Sequence, residues 1–179
     1  MRLIRIGEKL IDRDKVVRRI DDILKMRASG LSQTDVAKYL DVDRTFISRL
    51  ETLGEVHKGG KIALVGFPVA NKEELEKVAY EEGVEFIYLL TDKERWDLVS
   101  DTDGATLVNN LLELIQTIKN FDTIIFLASN FRGQFAESII GKQVLTIEIG
   151  KSPIKEDVMV DANEIRSLIR EIRRKGEAK

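Results

Sequence analysis

Hydrophobic residues recur at helical spacing through the first third of the chain. Apolar side chains between residues 14 and 29 fall on one face of a helix, and Gly30 follows as a stop signal. Ser32 and Asp43 stand where side-chain caps would begin two further short helices. The pattern therefore predicts three helices, with a tight connection at Asp41 between the second helix and the third.

The third predicted helix has an apolar face and a polar face. Phe46, Ile47 and Leu50 are spaced to face the core. The outward face consists of Arg44, Thr45, Ser48 and Arg49. A helix, a short turn and a second helix with an exposed polar face have the geometry that fits a DNA major groove.

From residue 61 onward, short continuous apolar runs alternate with helical patterns. The runs lack polar alternation, which indicates strands that are buried on both faces, as in a parallel sheet covered by helices. At least four strands are predicted, at residues 62–67, 84–90, 123–128 and 144–149, with a candidate short fifth at 158–160. The predicted fold class is α/β overall: a small all-α helix-turn-helix domain, then a parallel-sheet three-layer α/β sandwich of the Rossmann or flavodoxin type.

Glycine content and charge both change between the two parts of the chain. The glycine-rich stretch 54–61 interrupts any helix, so residues 1–58 and residues 62–179 are predicted to be separate domains. Residues 1–61 contain 14 Lys and Arg against 10 Asp and Glu, a balance of +4, whereas residues 62–179 contain 15 against 21, a balance of −6. Contact with phosphates needs local positive charge, so only the first domain is expected to bind a polyanion.

Composition excludes several kinds of chemistry. The 179 residues include no cysteine and one histidine, His57, which excludes disulfides, thiolate nucleophiles and metal sites built from several histidines. No catalytic residue, metal or cofactor is predicted. The chain has no run of about 20 apolar residues that would span a bilayer, and its first residues lack the apolar stretch of a secretory signal. A cytoplasmic protein without membrane contact is therefore expected.

The segment LSQTDVAKYLDVDRTFISRLE, residues 31–51, resembles the helix-turn-helix of lambda-repressor-like (Xre-type) transcriptional regulators. Ala37 stands where that family has a small residue between its two helices, and Asp41 replaces the family's turn glycine, which requires a left-handed backbone. The resemblance implies that Gln33 contacts a phosphate or a base. It also implies that the groove is read by Arg44, Thr45, Ser48 and Arg49.

The resemblance ends soon after the third helix. The family usually has two further helices there, whereas glycines follow almost at once in this chain. A homodimer is therefore expected to form through residues 62–179, because one short helix-turn-helix contacts too little double-stranded DNA for useful specificity. Lys58, in the linker, is a further candidate for contact with a flanking phosphate.

A second candidate site follows the predicted strands, because open parallel sheets bind ligands outside the carboxyl ends of their strands. The sequence there matches neither a dinucleotide fingerprint nor a P-loop. Polar and basic side chains suit a small phosphate or carboxylate. The candidates are Asn71, Lys72, Lys93, Arg95, Ser129, Asn130, Arg132 and Lys151. Trp96 is a candidate for stacking on a ligand ring, with a core or interface role as the alternative, and ordinary polar loops are the alternative for the whole set.

The residues favour a sequence-specific DNA-binding transcriptional regulator whose second domain dimerises and senses a small anionic ligand. The alternative is an enzyme of nucleotide or phosphate chemistry that its helix-turn-helix targets to DNA. A third interpretation gives the second domain a purely architectural or partner-docking role. Recovery of a bound ligand unchanged would separate sensing from catalysis.

Overall fold

The computed structural model describes residues 3–55, 59–141 and 144–174. The chain divides into two compact units, here called the amino-terminal unit, which ends at Glu55, and the carboxy-terminal unit, which follows it. Among the described residues, no helix has the length and the apolar character needed to cross a membrane. Each unit has its own hydrophobic core.

The amino-terminal unit consists of a hairpin followed by three helices. Its elements are β1 (Leu3–Ile6), β2 (Lys9–Asp12), α1 (Arg13–Ala28), α2 (Gln33–Leu40) and α3 (Arg44–Leu53). The strands pair antiparallel across a two-residue connection in which Gly7 has a φ of 58°. The prediction of an all-α domain is therefore wrong, because a Gly-Glu dipeptide between two apolar runs is a hairpin signal that the helical analysis passed over.

Side-chain caps and one left-handed residue define the turn between α2 and α3. Ser32 accepts a hydrogen bond from the backbone N–H of Asp35, and Asp43 accepts one from the backbone N–H of Thr45. Asp41 has φ 51° and ψ 54°, the left-handed conformation that an aspartate adopts at modest cost. These features confirm the predicted helix starts and the predicted turn.

The core of the amino-terminal unit is small. It consists of Ile23, Val36, Ala37, Leu40 and Ile47, with Met26, Val42 and Leu50 packed against them. The inward placement predicted for Phe46 is wrong, because the buried face of α3 is centred on Ile47 and Phe46 stays 45% exposed. On α1 only Ile23 is fully buried.

The carboxy-terminal unit contains a four-stranded parallel sheet in the order β4-β3-β5-β6. Its elements are β3 (Ile62–Gly66), α4 (Lys72–Glu81), β4 (Phe86–Leu89), α5 (Asp92–Ser100), α6 (Gly104–Ile118), β5 (Thr123–Ser129), α7 (Asn130–Ile140), β6 (Val144–Gly150) and α8 (Ala162–Arg173). All four predicted strands are confirmed. The candidate fifth strand is reduced to a single bridge between Val69 and Val158.

Helices cover both faces of this sheet. Along β3, Ile62 and Leu64 pack with apolar residues of α4 and α8, whereas Ala63 and Val65 pack with those of α6 and α7. The side chains of a strand alternate between its two faces, and both faces of β3 and β5 are buried. The continuous apolar runs of the sequence arise from this double burial.

Gly133 lets α7 approach β6 closely. A Cβ at this position would lie 2.2 Å from Cγ2 of Thr146, a β-branched side chain with little rotational freedom. We expect Gly133→Ala to lower the free energy of unfolding by about 1–3 kcal/mol, measured by urea denaturation. Gly104→Ala is the control, since nothing lies within 4 Å of the new methyl group there. A Gly133→Ala protein as stable as the parent would contradict this packing.

Candidate nucleic-acid interface and sheet-edge cavity

The polar face of α3 consists of four exposed side chains: Arg44, Thr45, Ser48 and Arg49. Their spacing places them side by side on one side of the helix, opposite the fully buried Ile47. Among the described residues, neither arginine of this face forms an ion pair. Both guanidinium groups are thus available to an external phosphate or base.

The carboxylate of Asp43 lies at the start of this face, where it caps α3 by accepting a hydrogen bond from the backbone. The pKa of the Asp43 carboxyl lies below its usual value. The largest cause is the interaction with the Thr45 side chain, and the next is the hydrogen bond from the Thr45 backbone N–H. Arg49 lowers that pKa further. The negative charge therefore stabilises the first turn of α3.

Glu51 joins all three helices of the amino-terminal unit. Its carboxylate accepts hydrogen bonds from Nε of Arg27 in α1 and, at 2.8 Å, from Nε2 of Gln33 in α2. The bond from Arg27 is the main reason that the pKa of Glu51 lies below its usual value, and the bond from Gln33 is the next. This network fixes the orientation of α3 against its neighbours.

The hydrogen bond to Glu51 gives Gln33 a structural role that the sequence did not indicate. One amide hydrogen of Gln33 is committed to Glu51, and the side chain is half-buried. Its amide oxygen has no hydrogen-bond donor among the described residues, so a contact with DNA stays a prediction for that group. Lys58, the candidate in the linker, lies outside the described residues, as does His57.

Four of the eight side chains predicted at the sheet edge, those of Asn71, Lys72, Arg95 and Asn130, have hydrogen-bond or ion-pair partners within the carboxy-terminal unit. Asn71 donates to the carbonyl of Val160 at 2.8 Å and accepts from its N–H at 3.0 Å, which ties the start of α4 to the segment before α8. Lys72 pairs with Glu94 at 2.7 Å, and this bond raises the pKa of the lysine. These two side chains therefore hold the fold together.

Three further candidates at the sheet edge are Asn130, Lys93 and Lys151. Asn130 accepts a hydrogen bond from the N–H of Ser152 at 3.1 Å. Lys93 and Lys151 are exposed and form no ion pair with any described residue. The predicted set of eight residues thus contributes only part of a site, because local partners neutralise or occupy several of its members.

Arg132, in the first turn of α7, differs from the other basic candidates. Its Nη1 is buried and has no hydrogen-bond partner among the described residues. Its guanidinium carbon lies 5.3 Å from the centre of the Phe67 ring. Burial lowers the pKa of this guanidinium, and the positive charge of Arg95 lowers it further.

Ser129, three residues earlier, is fully buried. Its Oγ also lacks a hydrogen-bond partner among the described residues. Although it occupies the N-cap position of α7, its side chain accepts no capping hydrogen bond. The start of α7 therefore holds two buried polar groups whose hydrogen-bonding capacity is unused.

A cavity of about 610 Å³ adjoins Arg132, and we call it the sheet-edge cavity. Its lining residues are Arg95, Trp96, Val99, Arg132, Pro153, Ile154 and Lys155. The guanidinium of Arg95 lies 5.4 Å from the centre of the Trp96 ring and pairs with Asp92. Sequence analysis did not predict α5, which contributes three lining residues, although Thr91 and Glu94 form the capping box that marks its start.

An apolar surface extends over α6 and α7, and we call it the α6–α7 face. Its exposed side chains are Val108, Leu111, Leu112, Phe131, Phe135 and Ile139. A groove of about 270 Å³ runs between the two helices, lined by apolar residues and by Arg132. Sequence analysis missed this face, although α6 has a single charged residue, Glu113, among its 15 positions.

Three comparisons with known proteins found no match. No protein-family model, no curated protein and no solved structure matches the chain. In the part of the chain that the structure describes, no group of three or more His, Cys, Asp or Glu side chains is arranged to hold a metal ion. The features of the chain that could bind a partner or ligand are the α3 polar face, the sheet-edge cavity and the α6–α7 face.

Proposed function

We propose that this protein is a sequence-specific DNA-binding transcriptional regulator of the Xre type, with α3 as its recognition helix. The observation that carries the proposal is the polar face of α3, where two exposed arginines that form no ion pair with any described residue flank two hydroxyl side chains. Arginine bonds bidentately to guanine in the major groove, and serine and threonine bond to several bases. Two exposed arginines that form no ion pair with any described residue are suited to reading bases in this way.

The rest of the amino-terminal unit supports that use of α3. Ile47 and the Glu51 network hold the helix from its opposite side, so the polar face is presented by a fixed scaffold. A side chain that reads base edges must keep its position to within a fraction of an ångström, and a rigid element provides this better than a loop. The left-handed Asp41 keeps the connection to α2 short.

We further propose that the regulator acts as a homodimer, and that a second copy of the chain covers the α6–α7 face. The six apolar side chains of this face are between 40% and 66% exposed. At those fractions they leave roughly 600 Å² of apolar surface in water, if each presents roughly 150–200 Å² when fully exposed. This is the upper limit for the largest patch on a monomer and approaches the roughly 800 Å² per partner of a stable interface.

A second copy fits this face better than an unrelated partner for a reason of chemistry. Two-fold symmetric dimers bring the same patch of each copy together, so the patch must complement itself. The α6–α7 face meets that requirement because its exposed side chains are apolar, and the charged residues on its two helices are few: Glu113 on α6, and Arg132 and Glu137 on α7. Dimerisation would also give the DNA two recognition helices.

In this proposal the carboxy-terminal unit is the dimerisation and effector domain, similar to a Rossmann or flavodoxin domain. Its open parallel sheet carries the sheet-edge cavity beyond the carboxyl ends of its strands, where such sheets bind ligands. Arg132 lines both this cavity and the groove of the α6–α7 face. A ligand in the cavity would therefore touch the helix that also contributes to dimerisation.

Selection from a random double-stranded DNA pool tests the proposed function. The full-length protein at fixed salt is expected to enrich an inverted repeat, with half-sites about 10 base pairs apart, centre to centre, or a multiple of that distance. The spacing follows because both recognition helices must enter the major groove on one side of the duplex. No enrichment over several rounds, or equal binding of the unselected pool and the selected sequences, would contradict the proposal.

A further inference from the structure

We propose that the sheet-edge cavity binds a small anion attached to a planar ring, with Arg132 holding the anionic group and Trp96 stacking on the ring. This inference names the ligand class for the sensing role proposed above and rests on that role. DNA binding through α3 and dimerisation do not depend on it, so each can fail separately.

The charge of the residues that line the cavity is the first reason to infer an anionic ligand. Three of its seven lining residues are cations, Arg95, Arg132 and Lys155, and none is an acid. They gather in a part of the chain, residues 62–179, whose 15 basic and 21 acidic residues give a balance of −6. Arg95 is paired with Asp92, so the positive charge offered to an anion that enters from water comes from Arg132 and Lys155.

Arg132 supplies the second reason. A buried guanidinium nitrogen normally has a hydrogen-bond acceptor, because burial without one forfeits its bonds to water. Nη1 of Arg132 has none among the described residues; the nearby Arg95 repels the guanidinium, and the attraction of Asp92 acts through space without a hydrogen bond to Nη1. A carboxylate or phosphate oxygen at this position would supply the acceptor, and a guanidinium binds either group bidentately.

The start of α7 adds to the attraction for an anion. Arg132 lies in the first turn of this helix of 11 residues, where backbone N–H groups and the helix dipole favour negative charge. Ser129 at the N-cap is fully buried, and its hydroxyl is not used for capping or for any other described hydrogen bond. Two polar atoms in the first turn and N-cap of α7, Oγ of Ser129 and Nη1 of Arg132, thus have no hydrogen-bond partner among the described residues.

The inference that the ligand contains a planar ring is based on Trp96. This side chain lines the cavity and is 58% exposed, so more than half of its surface is accessible to a ligand. The Arg95 guanidinium, 5.4 Å from the ring centre, adds a second planar group. Aromatic and guanidinium planes attract flat rings by stacking, and the apolar Val99 and Ile154 complete the lining.

The cavity size agrees with such a ligand. Its volume of about 610 Å³ lies within the roughly 300–1,000 Å³ of sites that bind small molecules. Inorganic phosphate alone would occupy only a small part of it and would leave Trp96 uncovered. The combination of cations and an aromatic wall therefore selects a ring with an anionic group, as found in aromatic carboxylates and in mononucleotides.

Trp96 is the single tryptophan of the chain, so its fluorescence reports on the cavity directly. We suggest titrating the full-length protein with benzoate, with adenosine monophosphate and with inorganic phosphate, while recording tryptophan emission. At least one of the two ring compounds is expected to change the emission saturably, with at least tenfold higher affinity than inorganic phosphate. Binding of benzoate alone indicates a carboxylate ligand, and binding of the nucleotide alone indicates a phosphate ligand.

Two variants and a control make the titration specific. Arg132→Gln is expected to weaken binding of the ring compound at least tenfold, whereas Lys93→Gln, which removes a cation outside the lining, is expected to leave it unchanged. Lys155→Gln provides a second variant on a loop if Arg132→Gln does not fold. The proposal is overturned if neither ring compound saturates, if phosphate binds equally well, or if the folded lining variants bind like the parent. Unchanged enrichment of DNA by Arg132→Gln would leave the regulator proposal intact.

Discussion

The double replacement Arg44→Ala and Arg49→Ala is expected to remove sequence-specific DNA binding while the fold persists. Each arginine that bonds a guanine edge bidentately contributes about 1–3 kcal/mol of discrimination between the correct base and a wrong one. Removing both is therefore expected to lower the preference for the operator over other duplexes by roughly 30-fold or more. Both side chains are exposed and form no ion pair within the described residues, so their removal leaves no unpaired charge behind. Fluorescence anisotropy with the selected operator and a scrambled duplex, at one salt concentration, measures the effect.

A charge-matched control separates base recognition from general attraction. Arg18→Ala with Lys25→Ala removes the same two charges from exposed positions of α1, away from the polar face of α3. This variant is expected to bind all duplexes somewhat more weakly and to keep its preference for the operator, because phosphate contacts carry no sequence information. If the α3 variant still preferred its operator as strongly as the parent, α3 would not be the recognition helix.

The sequence was most informative where a local rule dictates the backbone. Ser32 and Asp43 cap their helices as predicted, and Asp41 takes the left-handed conformation that the turn requires. Each of these depends on groups within a few residues of one another. The hairpin of β1 and β2 also has a local signal, at Gly7, and it was missed because the analysis began with helical periodicity.

The sheet-edge site was predicted only in outline. The position of the strand ends follows from the strand pattern, but the partner of each side chain depends on distant residues. Lys72 is neutralised by Glu94, 22 positions away, and Asn71 is occupied by Val160, 89 positions away. No sequence spacing indicates such pairs, whereas the unpaired state of Arg132 is visible only once its surroundings are known.

The α6–α7 face shows a different limit of sequence analysis. Leu111 and Leu112 have the apolar character of core residues, and periodicity assigns such residues to a core. In the structure both remain more than half exposed, because α6 uses other positions, such as Ile118, to pack on the sheet. An exposed apolar surface cannot be distinguished from a core stripe in the sequence until the chain's own packing is known.

If the proposed homodimer forms through the α6–α7 face, the double replacement Leu112→Glu and Phe135→Glu is expected to yield a monomer. Both side chains are more than half exposed, one on each helix of the α6–α7 face, so the carboxylates stay solvated in the monomer. In a symmetric dimer the same substitutions would bury four added charges of one sign, which costs far more than an interface of this size gains. Sedimentation equilibrium at micromolar concentration measures the change.

Loss of the dimer should also weaken operator binding by about 100-fold or more, since two linked recognition helices gain roughly 10²–10⁴ in affinity over one. Tyr80→Glu is the matched control: this residue is 80% exposed on α4, which covers the opposite face of the sheet, and its variant should remain dimeric. A Leu112→Glu, Phe135→Glu protein that stays dimeric would place the contact elsewhere. A monomer that keeps full operator affinity would show instead that one α3 suffices, which contradicts the need for two half-sites.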